Sequence, residues 1–156
     1  MSDLQPGLKE MLPHLRQKLV AGESLWIKPG GVSMLPMLRP GQDLVKLSPL
    51  PEKLKRFDLP LYRRDNGIYV LHRVVRVGER YTCIGDNEFA EEPGIRDDQM
   101  VALVTAFVRE GREYSVTAPG YRIYCYAWHY SRLPRRAFCS LRKRLGRLLK
   151  CLKSRF

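Results

Sequence analysis

Hydrophobic positions fall into three textures along the chain. Leu4, Leu8, Met11, Leu15 and Leu19 recur at three- and four-residue steps and predict an amphipathic helix over residues 3–20. Pro13 predicts a break or kink in it, and Gly22 marks its exit. From Ser24 to Arg112 short β-prone runs alternate with turn residues. Strands are expected at Leu25–Lys28, Asp43–Leu47, Leu59–Arg63, Ile68–Val77, Arg80–Ile84 and Met100–Arg109. Asp65-Asn66-Gly67 is a strong hairpin signal, and Val77-Gly78-Glu79-Arg80 is a second turn. The expected body is therefore mainly β, an antiparallel coiled sheet or partial barrel. After Pro119-Gly120 the stretch Tyr121–Tyr130 is aromatic. Pro134 then opens a helical pattern with Phe138, Leu141, Leu145, Leu148, Leu149 and Leu152 on one face. Three segments follow: an N-terminal helix (1–23), a β body (24–118) and a basic C-terminal tail (119–156).

Charge sharpens this division. The chain of 156 residues carries a formal +12. Eleven basic residues and no acidic one lie between Tyr121 and Phe156, so residues 1–120 are nearly neutral, with 17 basic against 16 acidic. A neutral body with a basic tail calls for an anionic partner: a membrane surface, a nucleic acid or an acidic protein. No apolar run reaches the roughly 18–20 residues that span a bilayer, and the N-terminus lacks the apolar core of a secretory signal. Cys83, Cys125, Cys139 and Cys151 show no Cys-x-x-Cys spacing, so they read as reduced thiols and no metal or cofactor is expected. The implied location is cytoplasmic, with the tail able to hold the chain at the inner face of a membrane.

Four short segments could carry chemistry. Gly30-Gly31-Val32-Ser33-Met34-Leu35-Pro36 places a serine directly after two glycines, which let a backbone approach a ligand closely. Ser33 could present its hydroxyl and backbone N–H to a substrate carbonyl, or be a plain turn serine. His72 sits within Tyr69–Val75, where it is either a satisfied half-buried side chain or a general base near neutrality. Asp86, in Ile84-Gly85-Asp86-Asn87, either caps its own turn or serves the histidine. Asp97 and Asp98 are either solvated loop charges or a source of the same help.

Taken in order, Gly31-Val32-Ser33-Met34-Leu35-Pro36, Gly41, Leu71-His72-Arg73-Val74-Val75 and Gly85-Asp86-Asn87 resemble the type I signal peptidases. That group also includes the self-cleaving SOS and phage repressors. The likeness runs from about Leu25 to Gly111, and Asp58 falls where the family has a Gly-Asp before a strand. It implies a coiled antiparallel β domain with Ser33 as nucleophile. His72 stands where housekeeping bacterial members have a lysine, which resembles the archaeal, endoplasmic-reticulum and spore-former branch with its Ser–His pair. The resemblance implies Asp98, or else Asp86, as the carboxylate that helps His72. It also implies Gly31, Met34 and Pro36 as the oxyanion and substrate loop. Two features depart from the family: no spanning helix is present, and Gly31 stands where some members supply a hydroxyl.

The expected activity is thus serine endopeptidase action on a precursor or leader peptide. A self-cleaving regulator is the first alternative, with Ala21-Gly22 as the bond, although few residues precede it. A non-catalytic module with a lipid- or RNA-binding tail is the second. The tail itself suits a basic amphipathic helix on an anionic membrane, with Tyr121, Tyr124, Tyr126, Trp128 and Tyr130 at the interface. It equally suits a helix packing its leucine face on the body; nucleic acid ranks third among its partners.

Overall fold

The ten-residue strand β8 (Met100–Arg109) is the axis of the molecule, and its alternation of buried and half-buried residues reflects one face turned to the core. In the computed structural model, which describes residues 6–139, three other strands hydrogen-bond to it. On one side lies β2 (Leu44–Ser48), followed outward by β1 (Leu25–Ile27). On the other side β3 (Pro60–Arg63) pairs with the first part of β8, and β9 (Arg112–Ser115) folds back on its last part. β4 (Tyr69–Leu71) completes this sheet against β3. A second sheet holds β5 (Arg73–Arg76), β6 (Tyr81–Ile84) and β7 (Glu92–Ile95). Every pairing is antiparallel, so the expected mainly β body is present as two sheets; they do not close into a barrel.

The six expected strands are all found, and two more are added. The run predicted as one strand at Ile68–Val77 is divided: β4 belongs to the first sheet, β5 to the second, and His72 is the single residue between them. The hairpin predicted at Asp65-Asn66-Gly67 joins β3 to β4 with Arg63 opposite Tyr69 and Tyr62 opposite Val70. Gly67, at φ +82°, supplies the left-handed residue of this turn.

The N-terminal helix α1 spans Pro6–Val20 and runs through Pro13 without ending. Pro13 lies on its exposed side, where water can take the place of the missing amide donor. Leu15 is fully buried in the main core with Val45, Leu47, Leu61 and Val104, and Leu12 and Leu19 pack beside it. Met11, expected on this face, is exposed. A second apolar cluster, with Tyr62, Val70, Val74, Cys83 and Ile95, joins the two sheets across the His72 corner.

The tail departs most from expectation. The helix there begins well before Pro134: α2 spans Pro119–Tyr130 with Pro119 at its first position, and residues 132–139 are also helical. Tyr121, Tyr124 and Trp128 turn inward onto the body, so the first part of the tail belongs to the fold. Of the leucine face, Leu141 to Leu152 lies outside the described residues. Among the described residues, no helix is long and apolar enough to cross a membrane. Cys83, Cys125 and Cys139 are free thiols.

Leu15 is α1's fully buried anchor, so Leu15→Ala should cost about 2–5 kcal/mol in chemical denaturation. Val20→Ala, at an exposed position on the same helix, should stay within about 0.5 kcal/mol.

Candidate active site at the junction of the two sheets

Ser33 lies in the long loop between β1 and β2. The loop is closed at its base by Arg39 and Asp43, whose side chains meet at 2.8 Å while the Arg39 N–H also donates to Asp43. Burial pushes the Asp43 carboxyl up, but the hydrogen bonds from Arg39 outweigh it and hold the group below its usual range. Met34 is 5% exposed and sits in the main core. It therefore anchors the loop from beneath, and it lines the small niche beside Ser33. The Pro36 carbonyl accepts from Arg109 at 3.1 Å. Gly31, at φ +63°, makes the turn that leads into Ser33.

A second loop, between β6 and β7, holds the serine loop in place. The Asn87 N–H donates to the Ser33 carbonyl at 2.8 Å, and Asn87 Nδ2 donates to the Val32 carbonyl at 3.2 Å. Gly85 lies so close that a Cβ there would stand 2.7 Å from the Ser33 carbonyl oxygen and 3.0 Å from Ser33 Cβ. Only a residue without a side chain permits that approach. Ser33 and Leu71, the neighbour of His72, line a common niche of about 10 Å³.

His72 is completely buried. Its Nδ1 lies 3.2 Å from the Tyr62 hydroxyl and 3.6 Å from Glu92 Oε2. The Tyr62 hydroxyl donates its one proton to Glu92 Oε2 at 2.7 Å. Toward His72 the same oxygen can then only accept, which assigns the ring proton to Nδ1. Nε2 is left as a bare acceptor. It is buried and makes no hydrogen bond among the described residues, and the nearest carboxylate, Glu88 Oε2, stands 3.8 Å away. No hydrogen bond joins Ser33 Oγ to this nitrogen.

Glu92 is further held by Arg64 through two bonds of 2.7 Å. Burial pushes its carboxyl up, but the contacts from His72, Arg64 and Tyr62 outweigh burial and bring it down to about 2. It is a fixed negative charge one step behind the imidazole. Burial, with the bond to Glu92 adding to it, drives the Tyr62 hydroxyl far above its ordinary pKa, so it stays protonated as the link requires.

Neither expected aspartate fills this role. Asp98 is exposed and paired with Arg96 at 2.9 Å, because the short 3₁₀ turn Asp97–Gln99 carries it away on the surface. Asp97 is exposed on the same turn. Asp86 is buried but faces away from the imidazole, locked to Arg73 by bonds of 2.8 and 2.7 Å. The Asp86 carboxylate also accepts from the Tyr124 hydroxyl, and its backbone carbonyl accepts from Trp128 Nε1. Asp86 thus fixes the loop that holds Ser33. Asp58, the other acidic residue marked by the resemblance, uses its carbonyl to accept the Val74 N–H.

Tyr62 and Glu92 went unread in the sequence. The hairpin register does contain a signal for Tyr62: it faces Val70, and His72 follows Val70 by two residues, just past the end of that strand. Glu92 has no comparable signal, since its place opposite Cys83 depends on the fold of the second sheet. No group of His, Cys, Asp and Glu among the described residues could hold a metal ion.

No protein-family model matches this chain, and no curated protein or solved structure matches it at a significant level. The geometry and the sequence motifs therefore carry the functional reading.

The depressed pKa of Glu92 has a consequence for acid stability. Its folded value of about 2 lies below the ordinary 4.5, so its contribution is fully present above pH 4.5 and is lost as pH falls through about 2. Urea denaturation across this window should show a shallower loss of stability for Glu92→Gln than for the wild type. Equal slopes would mean that the Tyr62–Glu92–Arg64 cluster does not hold the carboxylate charged.

Proposed function

We propose that this protein is a serine endopeptidase of the signal-peptidase type, with Ser33 as nucleophile and His72 as general base, acting on a precursor or leader peptide. One observation carries the reading: a buried imidazole whose Nδ1 proton is fixed by the Tyr62–Glu92 pair, leaving Nε2 bare and without a hydrogen-bond partner. An unpartnered buried acceptor costs stability. It is the feature expected of a base that waits for a substrate-linked proton.

The chemistry balances around these groups. Ser33 Oγ attacks a peptide carbonyl carbon, and its proton passes to His72 Nε2. The imidazolium is stabilised through Nδ1 by Tyr62 and Glu92, as a carboxylate does directly in a Ser–His–Asp triad. The tetrahedral intermediate collapses, the C–N bond breaks, and the Nε2 proton leaves with the amine. Water then attacks the acyl-serine, with His72 taking its proton and returning one to Ser33. The Ser33 N–H is available to the oxyanion, since the loop is held from its carbonyl side by Asn87. Contacts of this kind commonly tighten only when substrate binds. Glu88, between the loop and the ring, supplies a second negative charge beside the imidazolium.

The deciding experiment incubates the full chain with a diverse peptide mixture and reads new termini by mass spectrometry. Wild-type protein should generate cleavages that Ser33→Ala lowers on the order of 10⁴-fold or more. Tyr62→Phe, which keeps the ring and removes the link, should lower kcat by about 100-fold with KM little changed. Cleavage that persists in Ser33→Ala, or no cleavage by the wild type, would sink the assignment in favour of a non-catalytic binding module.

A further inference from the structure

The outward face of α2 is apolar where a surface helix ordinarily is polar. The inward face carries Tyr121, Tyr124, Cys125 and Trp128, which contact Arg73 and Asp86. At 100° per residue the opposite face of α2 holds Ile123, Tyr126 and Tyr130, and Leu133 and Ala137 are exposed on the helical run that follows Ser131. Ile123 is 68% exposed, Tyr130 63% and Leu133 71%, with Phe138 at 67% beside them. Isolated exposed hydrophobics are common on protein surfaces, but a continuous helical stripe of them marks an interaction site.

Its border is cationic. The Arg56 guanidinium lies 5.6 Å from the Tyr130 ring centre. Lys55, next to Arg56, is exposed, and so is Arg122 on the first turn of α2. Arg136 is exposed on the adjoining turn. The sequence from Tyr121 to the C-terminus contains no acidic residue.

We propose that this face of α2 and residues 132–139 docks on an anionic lipid bilayer, with Ile123, Tyr130 and Leu133 entering the acyl boundary and Lys55, Arg56, Arg122 and Arg136 meeting the headgroups. A second copy of the chain would set like charges against one another, and the chain's own basic tail would do the same. A bilayer with anionic headgroups satisfies both the stripe and its border. The tyrosines suit this depth, with ring buried and hydroxyl wet. The aromatic that does this is Tyr130; Tyr126 packs edge-on against the buried Phe57, and Tyr121, Tyr124 and Trp128, expected at the interface from the sequence, are committed to the interior. The surface does not depend on the peptidase reading.

The test is co-sedimentation of the full chain with phosphatidylcholine vesicles, with and without phosphatidylglycerol, at physiological salt. Binding is expected only with phosphatidylglycerol. The exposed triple variant Ile123→Ser, Tyr130→Ser, Leu133→Ser should bind about tenfold or more weakly with an unchanged melting temperature. Arg122→Gln should weaken binding about fivefold. Equal binding of wild type and triple variant would assign any membrane contact to the tail's charges alone and overturn the proposal. Equal binding to neutral vesicles would overturn it too, as would a dimer that the triple variant dissociates without any change in vesicle binding.

Discussion

Arg73 and Asp86 meet in the interior, each with a side chain 2% exposed, and most of the site hangs on that meeting. Two charges taken out of water cost more than their attraction returns unless every remaining donor and acceptor is used. Here they are used. The guanidinium grips the carboxylate with two parallel bonds, and its other donors reach the Phe57 carbonyl, the Tyr121 hydroxyl, Cys125 Sγ and Met37 Sδ. Burial works against the arginine's charge, yet the field of Asp86 drives its pKa well above the ordinary value. The pair stays ionised, and a single-sided loss would strand a charge in the core.

The neighbours of these two residues in the chain are those of the candidate site. His72 precedes Arg73, at the point where the backbone leaves one sheet for the other. Gly85 and Asn87 flank Asp86 and hold the Ser33 loop by close approach and by hydrogen bonds. One ion pair thus sets the positions of His72 and Ser33 together, while α2 closes over it through Tyr121, Tyr124 and Trp128. The cluster around Tyr62 and Glu92 then has a narrower task, the choice of which ring nitrogen carries the proton.

The strands legible in the sequence were those whose burial is written in apolar runs bounded by turn residues, such as Asp43–Leu47 and Met100–Arg109. β9 escaped because all four of its residues are exposed and carry no apolar pattern. β7 escaped because Pro93 and Gly94 read as a turn. The break at His72 was illegible for a different reason: apolar residues continue on both sides, and only pairing partners reveal the change of sheet. Ser33, His72 and the Gly85–Asn87 turn could be named from motifs. The helper of the histidine could not, because Tyr62 and Glu92 reach it through pairings across 10 and 20 residues, whereas Asp98 is drawn off by Arg96, only two positions away.

The place of β8 in this topology has a bearing on how the molecule comes into being. Leu44 pairs with Val108 and Pro60 with Leu103, so the first sheet joins parts of the chain made far apart in time. Such non-local pairings are slow to form, because loop closure must precede the contacts that reward it. On a ribosome, Ser33 and His72 emerge long before the strand that unites their sheet, and α2 comes later still. The nascent chain therefore carries serine and histidine in separate, unassembled pieces until β8 has been made. Whatever chemistry the finished site performs is withheld until the last part of the fold has been delivered.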